Sequence, residues 1–444
     1  MMNGKAAVAV AVIAFISTFE ACGGEWRVES RLDVAPVWSG HPVGFCLLTR
    51  GQRQFAAYYD AGRNMTVASR GLGEAKWDYH VLPEKVGWDS HNYITMTVDD
   101  DGFIHLCGNM HCVPLVYFRT EKPLDAATFR RIPAMVGERE AKCTYPSFFR
   151  GPKGELIFTY RDGSSGNGDQ IYNVYDHATQ TWRRLLDKPL TSGEGRMNAY
   201  HHGPVLGPDG LYHLCWVWRD HGGCESNHDL CYARSADLRA WTRSDGTPLE
   251  LPITLSKAEI VDPVPPKGGM INGNTKIGFD SRKRVIISYH KFDENGKTQV
   301  YNARLEDGRW KIYRASDWDY RWEFSGGGTI IFEISIGGVK PAGQGRLSQF
   351  WRHKVYGSGV WSLDEETLNV VETVQAAPDI PPELNKMESD FPGMEARFCN
   401  DSGEGDGRAR YLLRWETLPA NRDRARNDAL PPPTMLRLYK LVKD

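Results

Sequence analysis

The feature that most constrains this 444-residue chain is a recurrence of short, β-rich runs separated by turn clusters. The runs are FAAYYDA (55–61), YITMTVD (93–99), FIHLCGN (103–109), LIFTYRD (156–162), LYHLCWVWRD (211–220), VIISYHKFD (285–293) and TIIFEIS (329–335). Each is rich in β-branched and aromatic residues and too short for an ordinary helix, and convincing amphipathic helices are scarce. Turn signals stand between them at Asp101-Gly102, Gly151 to Gly154, Pro208-Asp209-Gly210 and Asn295-Gly296. A tryptophan closes several of these units: Trp77, Trp182, Trp241, Trp310 and Trp361.

The pattern of Asp-Gly turn, two strands, polar turn and tryptophan resembles the degenerate repeat of sialidase-like propellers. At about 45 to 60 residues per four-stranded unit, the chain holds roughly seven. The expectation is an all-β, single-domain, seven-bladed β-propeller over residues 23–444, with a two-sheet sandwich as the alternative. Proline-rich stretches at 262–266, 380–382 and 431–433 read as loops, because strands resume after each. The last strands, 410–416 and 435–441, are expected to pair with N-terminal strands and close the ring.

Composition excludes little. A net charge of -2 carries no basic surplus for nucleic acid or an anionic membrane surface. A few local arginines can still hold a small anionic sugar. Residues 1–22 read as an export signal: Lys5, then the apolar run 6–16, too short to span a bilayer, then Cys22. Cys22 also permits a lipoprotein reading, so the expected locations are periplasm, outer membrane as a lipoprotein, or secretion. No later stretch is long and apolar enough to cross a membrane, and a monomer is expected. Export permits disulfides, although most of the eight later cysteines read as buried thiols.

Chemistry concentrates in two segments. In 87–120, His91 precedes one strand and His111 follows the next, with the turn Asp99 to Gly102 between them. A hairpin folded at that turn brings its outer ends together, which makes the two histidines neighbours. His105, inside the second strand, is expected to pack. In 143–169, Tyr145 precedes Pro146, and Arg161 ends a strand before a Gly/Ser-rich loop that can bring backbone amides to a ligand. Arginine presents a planar fork to a carboxylate. β-Elimination from a uronate needs the carboxylate neutralised, the C5 proton removed and the leaving oxygen protonated. Two histidines, a tyrosine and an arginine supply all three without a cofactor.

The stretches SHN (90–92), GNMH (108–111), TYP (144–146) and YRDGSSGNGD (160–169) resemble the propeller ulvan lyases and related rhamnosyl-glucuronate lyases. In those families two histidines twenty residues apart and a tyrosine and arginine sixteen apart form the site, and His91/His111 and Tyr145/Arg161 repeat both spacings. The resemblance continues through NAYHHGP, HLCWVWRD, SNHDLCYARS, VDPVP and RWEFSGGGTI. It implies cleavage of α-L-rhamnosyl-(1,4)-D-glucuronate in ulvan or in arabinogalactan caps. It also implies a histidine base, a tyrosine acid, and Arg161 with the second histidine facing the carboxylate. His111 is the favoured base, although the two histidines could exchange roles. Asn92, Asn109, Asn167, Tyr200, His202 and Arg219 are the expected substrate-binding residues.

Two competing readings remain open. WSGHPVGF (38–45) resembles propeller α-L-rhamnosidases acting on the same bond, with a histidine on the opposite face; His41 matches it, which implies hydrolysis instead. A lectin-like propeller that binds without turnover would keep Arg161 but has no use for the two histidines and Tyr145 together. A further cluster, Cys215, Cys224, His228 and Cys231, would form a structural zinc site if residues 211–235 make a hairpin centred near Gly223. A Cys215–Cys231 disulfide and unrelated thiols are the alternatives. Some members of the resembling group hold zinc or calcium, so either ion is a possible structural cofactor.

Overall fold

A computed structural model describes residues 26–375, 378–403 and 409–443. The signal segment and Cys22 lie outside the described residues. The fold is all-β: among the described residues the only helical elements are four 3₁₀ turns, at Ser90–Asn92, Ala126–Thr128, Cys224–Ser226 and Pro382–Asn385. The chain divides into two compact units.

The first unit takes its residues from Met1–Gly137, Gly328–Ile330 and Ala377–Asp444. It contains three antiparallel sheets. One orders Trp26–Val37, Thr434–Lys443, Ala409–Thr417 and Glu395–Asn400; the N-terminal strand pairs with the last one, as its sequence position suggested. The second runs Cys46–Arg50, Arg53–Tyr59, Asn64–Gly71, Asp78–Lys85, and the third Thr95–Val98, Ile104–Cys107, Tyr117–Thr120, Phe129–Arg131. The expected hairpin is present: Val98 pairs with Ile104 across the Asp99–Gly102 turn, closed by Asp99 accepting from the amides of Asp101 and Phe103.

The second unit, Glu138–Gly327 with Ile331–Ala376, carries four sheet arrays. Their strand orders start with Cys143–Arg150, Leu156–Ser164, Asn167–Asp176, Thr181–Arg184, then Asn198–Leu206, Tyr212–Arg219, Asn227–Ser235, Glu259–Asp262. The others are Lys276–Phe279, Val285–Phe292, Thr298–Glu306, Arg309–Arg314, and Ile334–Ile336, Arg346–His353, Gly357–Asp364, Val370–Val374. Strands covered on both faces, such as Tyr212–Arg219, are buried throughout, with the apolar run Leu214 to Trp218 at the centre. Fourth strands such as Arg309–Arg314 are exposed and charged, which guards a free edge.

One predicted strand is shorter than expected. Of TIIFEIS only Ile334 and Ser335 enter a sheet, in the short strand Ile334–Ile336. The Thr329 amide donates 2.6 Å to the Asp423 carboxylate instead of a strand neighbour, so a side chain has replaced a ladder partner.

Candidate active site

In the first unit the residue that organises the histidines is Asp89. It caps the 3₁₀ turn Ser90–Asn92, and its Oδ1 accepts both the His91 amide (2.9 Å) and His91 Nδ1 (2.7 Å). Its Oδ2 takes His111 Nδ1 at 2.5 Å. The two imidazoles stack with centroids 4.1 Å apart and planes 26° apart, so the residues flanking the hairpin do meet. Asp89 is held well below the usual carboxylate range: burial works against its charge, but the two histidine hydrogen bonds outweigh it. His111 is raised to about 9: burial works against its charge, but its hydrogen bonds to Asp89 and with Cys112 outweigh it. An imidazole raised that far is protonated at neutral pH. That favours a charge-neutralising part for His111 over the base part expected for it. His105 packs as expected, buried between Tyr117 Oη (2.7 Å) and Asp99 (3.1 Å).

His41 is not on a separate face. Its side chain is fully buried, and its Nε2 lies 3.1 Å from Asp423 Oδ1. The same carboxylate accepts the Ser90 amide and hydroxyl (3.0 and 2.9 Å) and stands 3.5 Å from His91 Nδ1. Asp423, in a left-handed conformation (φ 56°), thus ties His41, the histidine-bearing turn and Thr329 together. Hydrolysis through His41 would need the ring to reach a sugar, and this one is sealed behind Asp423.

In the second unit Tyr145 sits at a β-bulge, where the pairing of Cys143–Arg150 with Leu156–Ser164 shifts register between Thr144 and Ser147. Its φ of 59° is a conformation that an aromatic residue adopts only at a cost of about 1 to 3 kcal/mol. Pro146 has no N–H to give to the ladder, which fits the break in pairing at this bulge. Such stored strain aims the phenol out of the ladder. Arg161, almost wholly buried, lies with its guanidinium 5.0 Å from the Tyr145 ring and donates 3.1 Å to Thr144 Oγ1 and 3.4 Å to Tyr200 Oη. Tyr200 also receives Arg219 at 3.4 Å and donates 2.9 Å to Ser165, at the tip of the hairpin closed by the Ser164–Asn167 pair. The Gly/Ser-rich segment is therefore a tight hairpin turn. Gly163 (φ 110°) is obligatory there: a Cβ would lie 2.1 Å from the Asn167 carbonyl.

The remaining expected binding residues divide. Asn167, on the hairpin, is exposed and lines a cleft of about 270 Å³ with Arg139, Lys142 and Asp169. His202 is half-buried, and burial with the charge of Lys276 lowers it to about 4, so it is neutral. Arg219 is spent on the carbonyls of His221, Gly222 and Gly223, which makes it a loop anchor rather than a sugar ligand. The Asn109 side-chain amide donates to Glu84 (2.8 Å), and the backbone carbonyl of Asn92 accepts from Tyr59 (2.6 Å), which fixes the main chain at a half-buried residue.

The cysteine–histidine cluster does not assemble. The hairpin forms, but Trp216, not Cys215, stands opposite Cys231, and Cys215 pairs with Tyr232. A one-residue offset turns the two thiols to opposite faces. Cys231 packs with Trp216 and Trp218, and Cys215 with Val217 and Tyr289. Cys224 is a buried free thiol, and His228 is bonded to Asp229 and Asp220 at 3.0 and 3.1 Å. Neither a zinc set nor a Cys215–Cys231 disulfide fits. Asp89, His91 and His111 do bring three ligand atoms within 4.8 Å. Both Nδ1 atoms turn to one carboxylate, so the same three groups can share a proton or serve as ligands to a cation.

Asp89 and Asp423 are the site residues that the sequence reading missed. Asp89, two residues before His91, carried a signal as the cap of a D-x-H turn. Asp423, in a charge-rich run 332 positions from His91, carried none.

A family model described as a BNR repeat-containing family member matches residues 53–318. The long isoform of ulvan lyase from Glaciecola sp. (strain KUL10) is 35% identical over 63 residues, 14% of this chain and 6% of that protein. The chain therefore spans only a small part of that relative's length. Among solved structures, polysaccharide lyase Uly1 superposes with a TM-score of 0.61 at 15% identity, covering 94% of this chain and 99% of that one. A PL25 ulvan lyase bound to -[GlcA(1-4)Rha3S]- gives 0.54 at 14% identity over 92% and 95%. These likenesses show the fold, an all-β propeller type. Among the described residues no helix is long and apolar enough to cross a membrane.

Proposed function

The chain belongs to the BNR repeat-containing family, and from that premise we propose that it is a polysaccharide lyase that cleaves rhamnosyl-(1,4)-glucuronate by β-elimination. The observation that carries the reading is the stacked His91–His111 pair sharing one carboxylate. One carboxylate between two rings favours a single positive charge, which His111 takes. His111 then neutralises the uronate carboxylate and acidifies C5–H. The base falls to His91, whose stacked neighbour already carries the charge. Its acceptance of the C5 proton sends the electron pair into a C4–C5 double bond and expels the C4 oxygen. Tyr145, on its strained bulge, takes the part of the acid that protonates the leaving oxygen, and Arg161 fixes the phenol by stacking on it. No cofactor enters this scheme.

The substrate proposed is ulvan or a rhamnose-capped arabinogalactan. An ulvan repeat occupies the PL25 lyase structure that this fold resembles, which supports the first. Incubation with ulvan and with gum arabic tests the reading, following ultraviolet absorbance of unsaturated uronate beside released rhamnose. Absorbance gain supports elimination. Rhamnose without absorbance would mean hydrolysis, and binding without either would mean a lectin.

A further inference from the structure

The turn that joins Arg53–Tyr59 to Asn64–Gly71 is pinned from both sides. Asp60 Oδ1 accepts the amides of Gly62 and Asn64, the Arg63 amide donates 2.9 Å to the Asp60 carbonyl, and the Arg63 carbonyl accepts from Val86 at 3.0 Å. Arg63 itself is held in a left-handed conformation, φ 69°. Its guanidinium lies 4.6 Å from the Trp38 ring and 5.1 Å from the Trp88 ring, and those indoles meet edge to face at 5.0 Å. Among the described residues no carboxylate, carbonyl or hydroxyl pairs with this half-buried charge. The neighbouring Arg70 contrasts with it: that fork is filled by Gln54 and the Glu74 carbonyl.

The two indole planes stand 78° apart, so the guanidinium can lie flat on only one of them, and the N–H donors in its plane that point away from the other are left unused. An indole face is only a weak acceptor for them. What fits such an edge is an oxyanion, taken in a bidentate fashion. The fork is also coupled to the histidines through Trp88, which immediately precedes Asp89 and lies 6.3 Å from the His41 ring. From this geometry we infer that Arg63, clamped between Trp38 and Trp88, is a binding residue for an oxyanion of the sugar chain, a sulfate ester or a uronate carboxylate next to the bond that is cleaved. The inference rests on the polysaccharide reading for its ligand but not on elimination for its test.

The test uses the full chain with Arg63→Met, which keeps the stem over the indoles, and Arg63→Lys, which keeps the charge but not the fork. Binding is read by retardation in gels that contain ulvan or chemically desulfated ulvan, and KM and kcat are read on the same polymers. Arg63→Met is expected to weaken retardation and raise KM by roughly tenfold to a hundredfold, the scale of a lost charge-assisted hydrogen-bonded contact, with kcat near wild type. Arg63→Lys is expected to fall between. A defect confined to sulfated polymer assigns the ligand as sulfate, and a defect on both assigns it as the carboxylate. Wild-type retardation and KM for Arg63→Met on both polymers, at an unchanged melting temperature, would overturn the inference. Should Arg63→Met not fold, wild-type behaviour of Arg63→Lys together with no competition by inorganic sulfate overturns it equally. If wild type binds in an Arg63-dependent way but produces no unsaturated uronate, the oxyanion site stands and the lyase reading falls.

Discussion

Asp89→Asn separates charge from shape at the histidine pair. Asparagine keeps an oxygen for the His91 amide and a similar volume, but it no longer places a negative charge between two imidazoles. The folded His111 is raised from 6.5 to about 9, chiefly by Asp89 working against burial. At about 1.4 kcal/mol for each tenfold change in proton affinity, that difference is about 3 kcal/mol. The Asp89 and His111 shifts express one interaction, so it counts once. The sign follows from linkage: a group that binds its proton more tightly when folded stabilises the fold fully below pH 6.5, and that contribution is lost as pH rises through about 9. Asp89→Asn should therefore lower unfolding free energy by about 2 to 3 kcal/mol near pH 6 and by progressively less towards pH 9. In catalysis, if His111 acts as the charged partner, kcat/KM of wild type falls on the alkaline side near pH 9. The variant's limb moves to lower pH, because burial then lowers the imidazole with only Cys112 opposing it. Urea unfolding at several pH values, the pH profile of uronate absorbance and a proton NMR titration of His111 read these effects separately. A His111 resonance that titrates near 6.5 in wild type, or an alkaline limb that Asp89→Asn leaves in place, refutes the reasoning.

Three further outcomes are expected. Tyr145→Phe keeps the ring against Arg161 and should leave the melting temperature unchanged while lowering kcat by roughly a hundredfold or more, as loss of a general acid does. His41→Ala removes a buried partner of Asp423 and should cost about 1 to 3 kcal/mol in urea unfolding while depressing elimination; rhamnose release lost with elimination intact would revive the hydrolase reading. Gly163→Ala forces a Cβ onto the Asn167 carbonyl at φ 110° and should destabilise the second unit by about 1 to 3 kcal/mol or more, visible as a lower melting temperature; wild-type melting would show that the hairpin is not built as described.

What the sequence made legible was governed by local rules. The β class followed from short runs between turns, and the His91–His111 encounter followed from one hairpin whose turn residues are adjacent in the chain. Hidden features depended on register or on distant segments. One bulge at Val217/Trp218 decides which residue faces Cys231, and no count of residues around Gly223 reveals a bulge. TIIFEIS has a strand's composition, yet Asp423, 94 residues after Thr329, claims the first amide of that stretch. Arg219 follows two tryptophans and looked like a sugar ligand, but its donors are taken by three carbonyls of the next loop.

The placement of His41 bears most directly on the choice between hydrolysis and elimination. Two sites of different chemistry would need two sets of groups able to touch sugar. His41 instead reaches Asp423, Asp423 reaches Ser90 and His91, and Asp89 joins His91 to His111, so these three histidines form one chain of hydrogen bonds and ion pairs with its buried end at His41. A buried imidazole against a carboxylate held well below its usual range positions that carboxylate, which in turn positions the turn carrying His91. Removal of His41 should thus impair an eliminating enzyme without His41 ever meeting substrate. An effect of His41 substitution on rhamnose release therefore argues for hydrolysis only where the gain in absorbance is left intact.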